Sequence, residues 1–440
     1  MRPLAKWRFA WIVSLLAATS LIAAAPEACA AGDDRQTGGE QCAANPPGFG
    51  HPSTNATPVI LQLAQPSVEP VAATDGLIHL AYVVQATNTG MERADIVSVV
   101  PVDPLADFSP TGHNFITDPQ GHDVAGKVQL FARSSLDTEP EDGVQPATQS
   151  PPGFTARVPA GSAGLMYFDV TYTDPALIPR LLAHAITLAL PNGGAPSTGL
   201  TNPVPVGCKA LAVLSPPLVG HGWVAANGCC SIAAYHRTAV APANGTLLTP
   251  EQFAIDFVQL GKNGTCCDGP STVLTNWLGY NAPVLAAAHG VVTEVVDGLP
   301  DQPVEGMPNE PIADQPGNHV VEDISGRRFV TYAHLKPGSI PKWVSVGARL
   351  RPGQRIGNLG NSGNSTVPHL HFQVQDSPSP LDSAGLPFVF AAQVLEGSVA
   401  EGFTTAFSMG APVSVDRTQT GARRNQMPAR NGVFSYNPSQ

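Results

Sequence analysis

A chain of 440 residues has material for two or three domains, each able to bury a core. Its formal charge of −11 repels a phosphate backbone and argues against a nucleic-acid partner. With 43 Gly, 44 Pro and little helical periodicity, the sequence reads as all-β, built from short strands and many turns.

Residues Met1 to about Ala31 have the layout of a secretory signal: basic Arg2, Lys6 and Arg8, the apolar run Phe9 to Ala25, then small residues around Ala28-Cys29-Ala30. A membrane anchor is disfavoured by the short apolar run, and lipidation at Cys29 by the lack of an apolar residue three places before it. The expectation is an exported protein, periplasmic or extracellular, with no stable membrane insertion once the signal is removed. Losing Arg2, Lys6, Arg8 and Glu27 with the signal takes the formal charge from −11 to −13. Six cysteines remain, Cys42, Cys208, Cys229, Cys230, Cys266 and Cys267, an even number that in an exported chain points to disulfides. The vicinal pairs lack the two-residue spacer that lets both thiolates reach one zinc.

Residues 32–57 read as a polar, Pro/Gly-rich linker. Strand-like runs follow at Val59 to Ala64, Leu77 to Thr87, Ala94 to Val102, Lys127 to Ala132, Leu165 to Thr173 and His184 to Leu190, which predicts a β-sandwich over 58–190. Its edge-loop candidate is Ser134 to Gly153. His79, His113, His122 and His184 stand in no ligand-like spacing and read as isolated surface or packing residues. The prolines and the Asn-Gly-Gly of 191–206 suggest an interdomain linker. A second domain is expected over 207–400, and 401–440, polar and without periodicity, reads as a frayed tail.

The chemistry concentrates in that second domain. In His369 to Gln375, alternation of period two sets His369, His371 and Gln373 on one strand face and Leu370, Phe372 and Val374 on the other. Two neutral imidazoles on a rigid strand suit a metal site. Asp256, in the run Phe253 to Val258, shares its face with Ala254 and Val258, where a carboxylate is costly unless it is paired or bound to a cation. No His-Glu-x-x-His helix occurs anywhere in the chain.

The Gly/Ser/Thr-rich run Gly360 to Thr366 leading into Pro368-His369-Leu370-His371-Phe372 resembles the hallmark of the lysostaphin-type zinc endopeptidases, which cut peptidoglycan cross-bridges and have the duplicated hybrid motif fold. Tyr332-Ala333-His334-Leu335 and Gly317-Asn318-His319-Val320 extend the resemblance, which covers about Cys208 to Ser398. It implies a mostly antiparallel β-sheet peptidase domain with an active-site groove, a Zn2+ cofactor, and a peptidoglycan or other peptide substrate. Carried over residue by residue, it makes His236, Asp256 and His371 the metal ligands, and His334 and His369 the catalytic histidines that orient water and move protons. For His334, alternation with Val330 and Tyr332 is the expected reason it reaches the groove. His289 and His319 fall where the family pattern needs no histidine and read as structural.

One departure stands out. The family keeps its first His and its Asp close together, whereas here nineteen residues separate His236 from Asp256; His221 is the alternative first ligand. A disulfide from Cys229-Cys230 to Cys266-Cys267, closing a loop that carries both ligands, is the expected substitute for the short spacer. Against the peptidase reading stands a non-catalytic cell-wall-binding or amidase-regulating protein that keeps the fold. Inactive relatives lose ligands or catalytic histidines, and here all five positions are filled. A sugar-phosphotransferase carrier is more distant, since it would need a phosphorylatable His pair but no Asp ligand.

Overall fold

The computed structural model describes residues 57–437 except 107, 112–131, 135–155, 192, 232–233, 244, 305 and 307. The expected signal segment, almost all of the first linker and most of the edge-loop candidate lie outside the described residues.

The first half forms two antiparallel sheets. One pairs Val59–Leu63, Ile78–Asn88, Ala163–Tyr172 and Ala132–Ser134 in that order. The other runs Ser197–Leu200, Leu181–Ala189, Ala94–Asp103, Ser109–Pro110. Alternation explains the core between them: Leu61, Leu80, Tyr82 and Val84 from the first sheet and Ile96, Ile186 and Leu188 from the second belong to one buried cluster. The segment 191–206, expected as a linker, instead supplies Ser197–Leu200 and Val204–Pro205, both paired with Leu181–Ala189. Short strands beside prolines imitate linker composition.

The second half is organised on a twelve-stranded sheet. Its central path is Gly290–Val296, Asn318–Asp323, Phe329–Leu335, Leu370–Gln375, Ile255–Gln259, Gly220–Ala226, Gly432–Tyr436 and Gln393–Val399, every pair antiparallel. The expected tail therefore belongs to the fold. Gly432–Tyr436 is inserted between two strands of the sheet, and Val433, Phe434 and Tyr436 are buried. A five-residue strand among Arg, Asn and Gln is too short to register as a period.

The apolar face of Leu370–Gln375 anchors the core. Phe372 meets Tyr332 and Phe388 at ring-centroid distances of 5.4 and 5.2 Å, and Leu370 is fully buried. Leu370→Ala should lower unfolding free energy by about 2–4 kcal/mol through the cavity it opens. Denaturant unfolding checks this expectation.

Candidate metal centre

Strand register assembles the site. Asp256 stands directly opposite His371 on one side and Ala226 on the other, and His371 stands opposite Ala333. Directly opposed residues project from the same face at about 4.5–5.5 Å, so the pairing alone brings carboxylate and imidazole together. His371 Nδ1 lies 3.0 Å from Asp256 Oδ1, and His369 Nε2 lies 3.4 Å from the same oxygen. The other carboxylate oxygen accepts from Asn227 Nδ2 at 2.9 Å and faces His236 Nε2 at 3.2 Å. His236 comes from the short helical turn Tyr235–Thr238. One ligand atom each from His236, Asp256 and His371 fall within 4.8 Å of one another.

His334 reaches the site by a different route from the one alternation suggests. Val330 and Tyr332 stand opposite Val374 and Phe372, on the apolar face, so regular pleating would send His334 into the core. The register slips between Asn318 and Val320, leaving Ala333 and His334 together opposite His319. His334 takes φ +59°, in the left-handed region. Such a bulge re-aims a side chain. The His334 ring comes to 4.6 Å from that of His369 and 5.8 Å from that of His371.

Hydrogen bonds fix each ring from behind. His236 Nδ1 faces Ala254 O at 3.2 Å, His369 Nδ1 faces Val367 O at 2.7 Å, His334 Nδ1 faces Ser362 O at 2.8 Å, and His371 Nε2 faces Gln373 Oε1 at 2.9 Å. All four acceptors are oxygens, so these nitrogens carry protons. For His236, His369 and His371 the opposite nitrogen then points at the Asp256 carboxylate. A neutral ring would present a lone pair there, so the cluster is balanced either by extra protons or by a cation among the inward nitrogens. A divalent cation fits this donor set, since neutral imidazole and carboxylate are zinc ligands and outward N–H bonds of this kind set the ligating tautomer.

Electrostatics without a metal point the same way. Burial pushes the Asp256 carboxyl up, but His236 and His369 outweigh it and hold it well below the usual carboxylate range. Burial lowers His236, yet Asp256, with Glu251 and the Ala254 carbonyl, outweighs it and raises it to about 9. Against the same burial penalty, Asp256 also raises His369. Burial first, then the neighbouring His369 and His371, drive His334 well below its ordinary value.

The five side chains open onto a cleft of about 530 Å³, whose walls include Tyr235, Glu251, Gln315, Asn364, Thr366 and Pro380. His221, the alternative first ligand, is elsewhere, with an exposed side chain 2.7 Å from Glu396. Asn227 and Gln373 were not among the expected site residues. Gln373 had a legible signal, since it shares the His371 face; Asn227 had none.

The cysteines do not pair as expected. Cys229 bonds Cys230, Cys266 bonds Cys267, and Cys208 is also disulfide-bonded. Among the described residues no bridge closes the segment between His236 and Asp256.

Against known families, residues 277–383 match Peptidase family M23. The chain carries an M23 peptidase domain. This match takes in His334, His369 and His371 but begins after His236 and Asp256, whose place beside them comes from the strand register and the Tyr235–Thr238 turn. Solved structures similar to the chain include the catalytic domain of the prophage-encoded M23 protein EnpA from Enterococcus faecalis, at 18% identity over 39% of this chain and 92% of that one, TM-score 0.23. The catalytic domain of the antimicrobial peptidase lysostaphin from Staphylococcus simulans aligns at 22% identity over 38% of this chain and 86% of its own, TM-score 0.19. A zinc-containing peptidase from Vibrio cholerae aligns at 13% identity over 70% and 82%, TM-score 0.22. A comparison with curated proteins finds no match. The match over residues 277–383, on a mostly β fold, supports a peptidase reading.

Proposed function

We propose that this chain is an exported, zinc-dependent metalloendopeptidase that hydrolyses peptide bonds in peptidoglycan cross-links. The observation that carries the metal reading is the convergence of His236, Asp256 and His371 within 4.8 Å, with two further imidazoles on the same open cleft. Zinc held there would lower the pKa of a water to near neutrality and polarise the scissile carbonyl. Three protein ligands leave a position open for that chemistry, the arrangement of catalytic rather than structural sites.

The two remaining histidines divide the proton work. His334, kept neutral by burial and by its imidazole neighbours, has its Nδ1–H bound to Ser362 O and is free to take a proton from the attacking water at Nε2. His369, which burial lowers but Asp256 raises, is the group placed to hold a proton at Nε2 and donate it to the developing oxyanion. Opposite displacements of this kind separate acid from base. The substrate class and the export route come from the resemblance of Gly360 to Phe372 to the lysostaphin-type pattern and from the amino-terminal composition. Among the described residues no helix is long and apolar enough to cross a membrane.

The test is metal analysis of the purified chain together with a peptidoglycan digest read by mass spectrometry. About one zinc per chain and new peptide termini are expected; a protein that holds no zinc and takes up none after chelation ends this reading. Zinc uptake should also release protons. With His236 at about 9 the metal-free ring is protonated at pH 7, and ligation requires the neutral ring, so affinity should climb as pH rises toward 9 and fall below it. Without metal the sign is opposite for stability. The raised pKa makes the His236–Asp256 pairing contribute fully below about pH 6.5, and that contribution is lost as pH rises through 9. Calorimetric titration of zinc in buffers of different ionisation enthalpy counts the protons.

A further inference from the structure

The nineteen residues between His236 and Asp256 are docked on the first-half sheet. Arg237, the residue after His236, is 1% exposed. Its Nη2 donates to Tyr82 O at 2.9 Å and to Phe168 O at 2.6 Å, carbonyls of directly opposed residues in the paired strands Ile78–Asn88 and Ala163–Tyr172. Asp169 supplies favourable charge, and the guanidinium carbon lies 5.8 Å from the centroid of the Tyr167 ring. Beyond Arg237 the insert turns through the hairpin Ala241–Ala243 and Thr246–Leu248, and Val240 and Leu247 pack on Val83, Leu165 and Tyr167. At its far end Gln252 donates to Ala81 O at 2.6 Å and accepts from Gln65 at 2.9 Å. Two residues later, Ala254 O holds the His236 ring.

Both ends of the insert are thus tied to three consecutive residues of one strand, Ala81 and Tyr82 through their carbonyls and Val83 through its side chain. His236 immediately precedes the first tie, and its ring is held by Ala254 O two residues after the second. A buried guanidinium costs several kcal/mol unless its surroundings compensate. Placed next to a ligand, it fixes the helical turn from which the imidazole projects.

We propose that Arg237 is a positioning residue for the metal centre, and that the first-half sheets complete the site by holding its first ligand. This inference rests on the zinc reading above. Its consequence is that the amino-terminal sheets are part of the peptidase rather than an appended module, and that the long spacing is bridged by docking rather than by a disulfide.

The experiment uses the full chain with Arg237→Ala, Arg237→Lys and, as a control, Leu80→Ala, which lowers sheet stability from a core position without touching the insert. Circular dichroism and melting establish folding; zinc affinity is measured by competition with a chromogenic chelator, and the site geometry by the visible spectrum of the cobalt(II)-substituted protein. Arg237→Ala should weaken zinc binding by about 10–100-fold, the range typical of lost outer partners, and change the cobalt spectrum. Arg237→Lys should recover part of the affinity through one carbonyl, while Leu80→Ala should lower the melting temperature and leave both metal readouts at wild-type values. If Arg237→Ala does not fold, Gln252→Ala cuts the other tie and should weaken zinc binding in the same direction. Folded Arg237 or Gln252 variants with wild-type affinity and spectrum would overturn the positioning role, as would an equal loss of affinity in Leu80→Ala. A wild-type chain that binds no zinc would instead remove the reading on which the proposal rests.

Discussion

Asp256→Asn should leave a folded protein that no longer retains zinc and has lost hydrolysis with it. Three imidazole nitrogens, from His236, His369 and His371, lie within 3.0–3.4 Å of the Asp256 carboxylate, so this one side chain supplies the negative charge around which the centre is built. The amide keeps the shape and its oxygen can still face one ring, but its nitrogen is a donor and its charge is zero. The affinity loss should exceed the roughly 10–100-fold seen when an outer partner is removed, because here a ligand is changed. Folding should survive, because His236 and His369 lose the charge that raises them and become neutral rather than stay as unpaired buried cations. Metal analysis after gel filtration decides the point. Stoichiometric zinc in a folded Asp256→Asn protein would remove Asp256 from the ligand set.

What the sequence disclosed tracks the range over which a pattern acts. The facing of His369 and His371 was legible because strand alternation is local and strict, and the apolar half of that strand, Leu370, Phe372 and Val374, lies in the core as alternation requires. Asp256 was legible because a carboxylate on a face with Ala254 and Val258 is costly unless it is paired or bound to a cation. His334 does come to the cleft, but the stated facing was not the reason it converges: a bulge opposite His319 does that, and a bulge leaves no period in the sequence. The route by which His236 joins the site was not legible at all. It depends on Arg237 meeting carbonyls of Tyr82 and Phe168, 155 and 69 residues away, and nothing local announces a contact of that range. The expected disulfide was an attempt to explain the same spacing from the only local signal present. The strand Ile78–Asn88 carried a clue of another kind: Ala81 and Val83 are as buried as Leu80 and Tyr82, so both faces of the strand are covered.

His334→Asn should keep zinc and lose hydrolysis by about a hundredfold or more, the usual consequence of deleting a proton-transfer or oxyanion group. Asn suits this position better than Ala, because the residue sits at φ +59° and Asn tolerates the left-handed region with less strain than other side chains that have a Cβ. The expected separation follows from geometry. His334 is held by Ser362 O through Nδ1 and, among the described residues, is not part of the group of ligand atoms that joins His236, Asp256 and His371, so removing its ring leaves those three in place. What disappears is an imidazole that burial and its neighbours keep neutral, hence able to accept a proton near neutrality. The loss should therefore fall on kcat more than on KM, and lowering the pH should not restore it, because the missing group acts as a base. Zinc content by atomic absorption and steady-state kinetics on a peptide substrate test the two halves separately. Loss of metal from the folded variant would make His334 a ligand, and full activity would leave proton transfer to His369 alone.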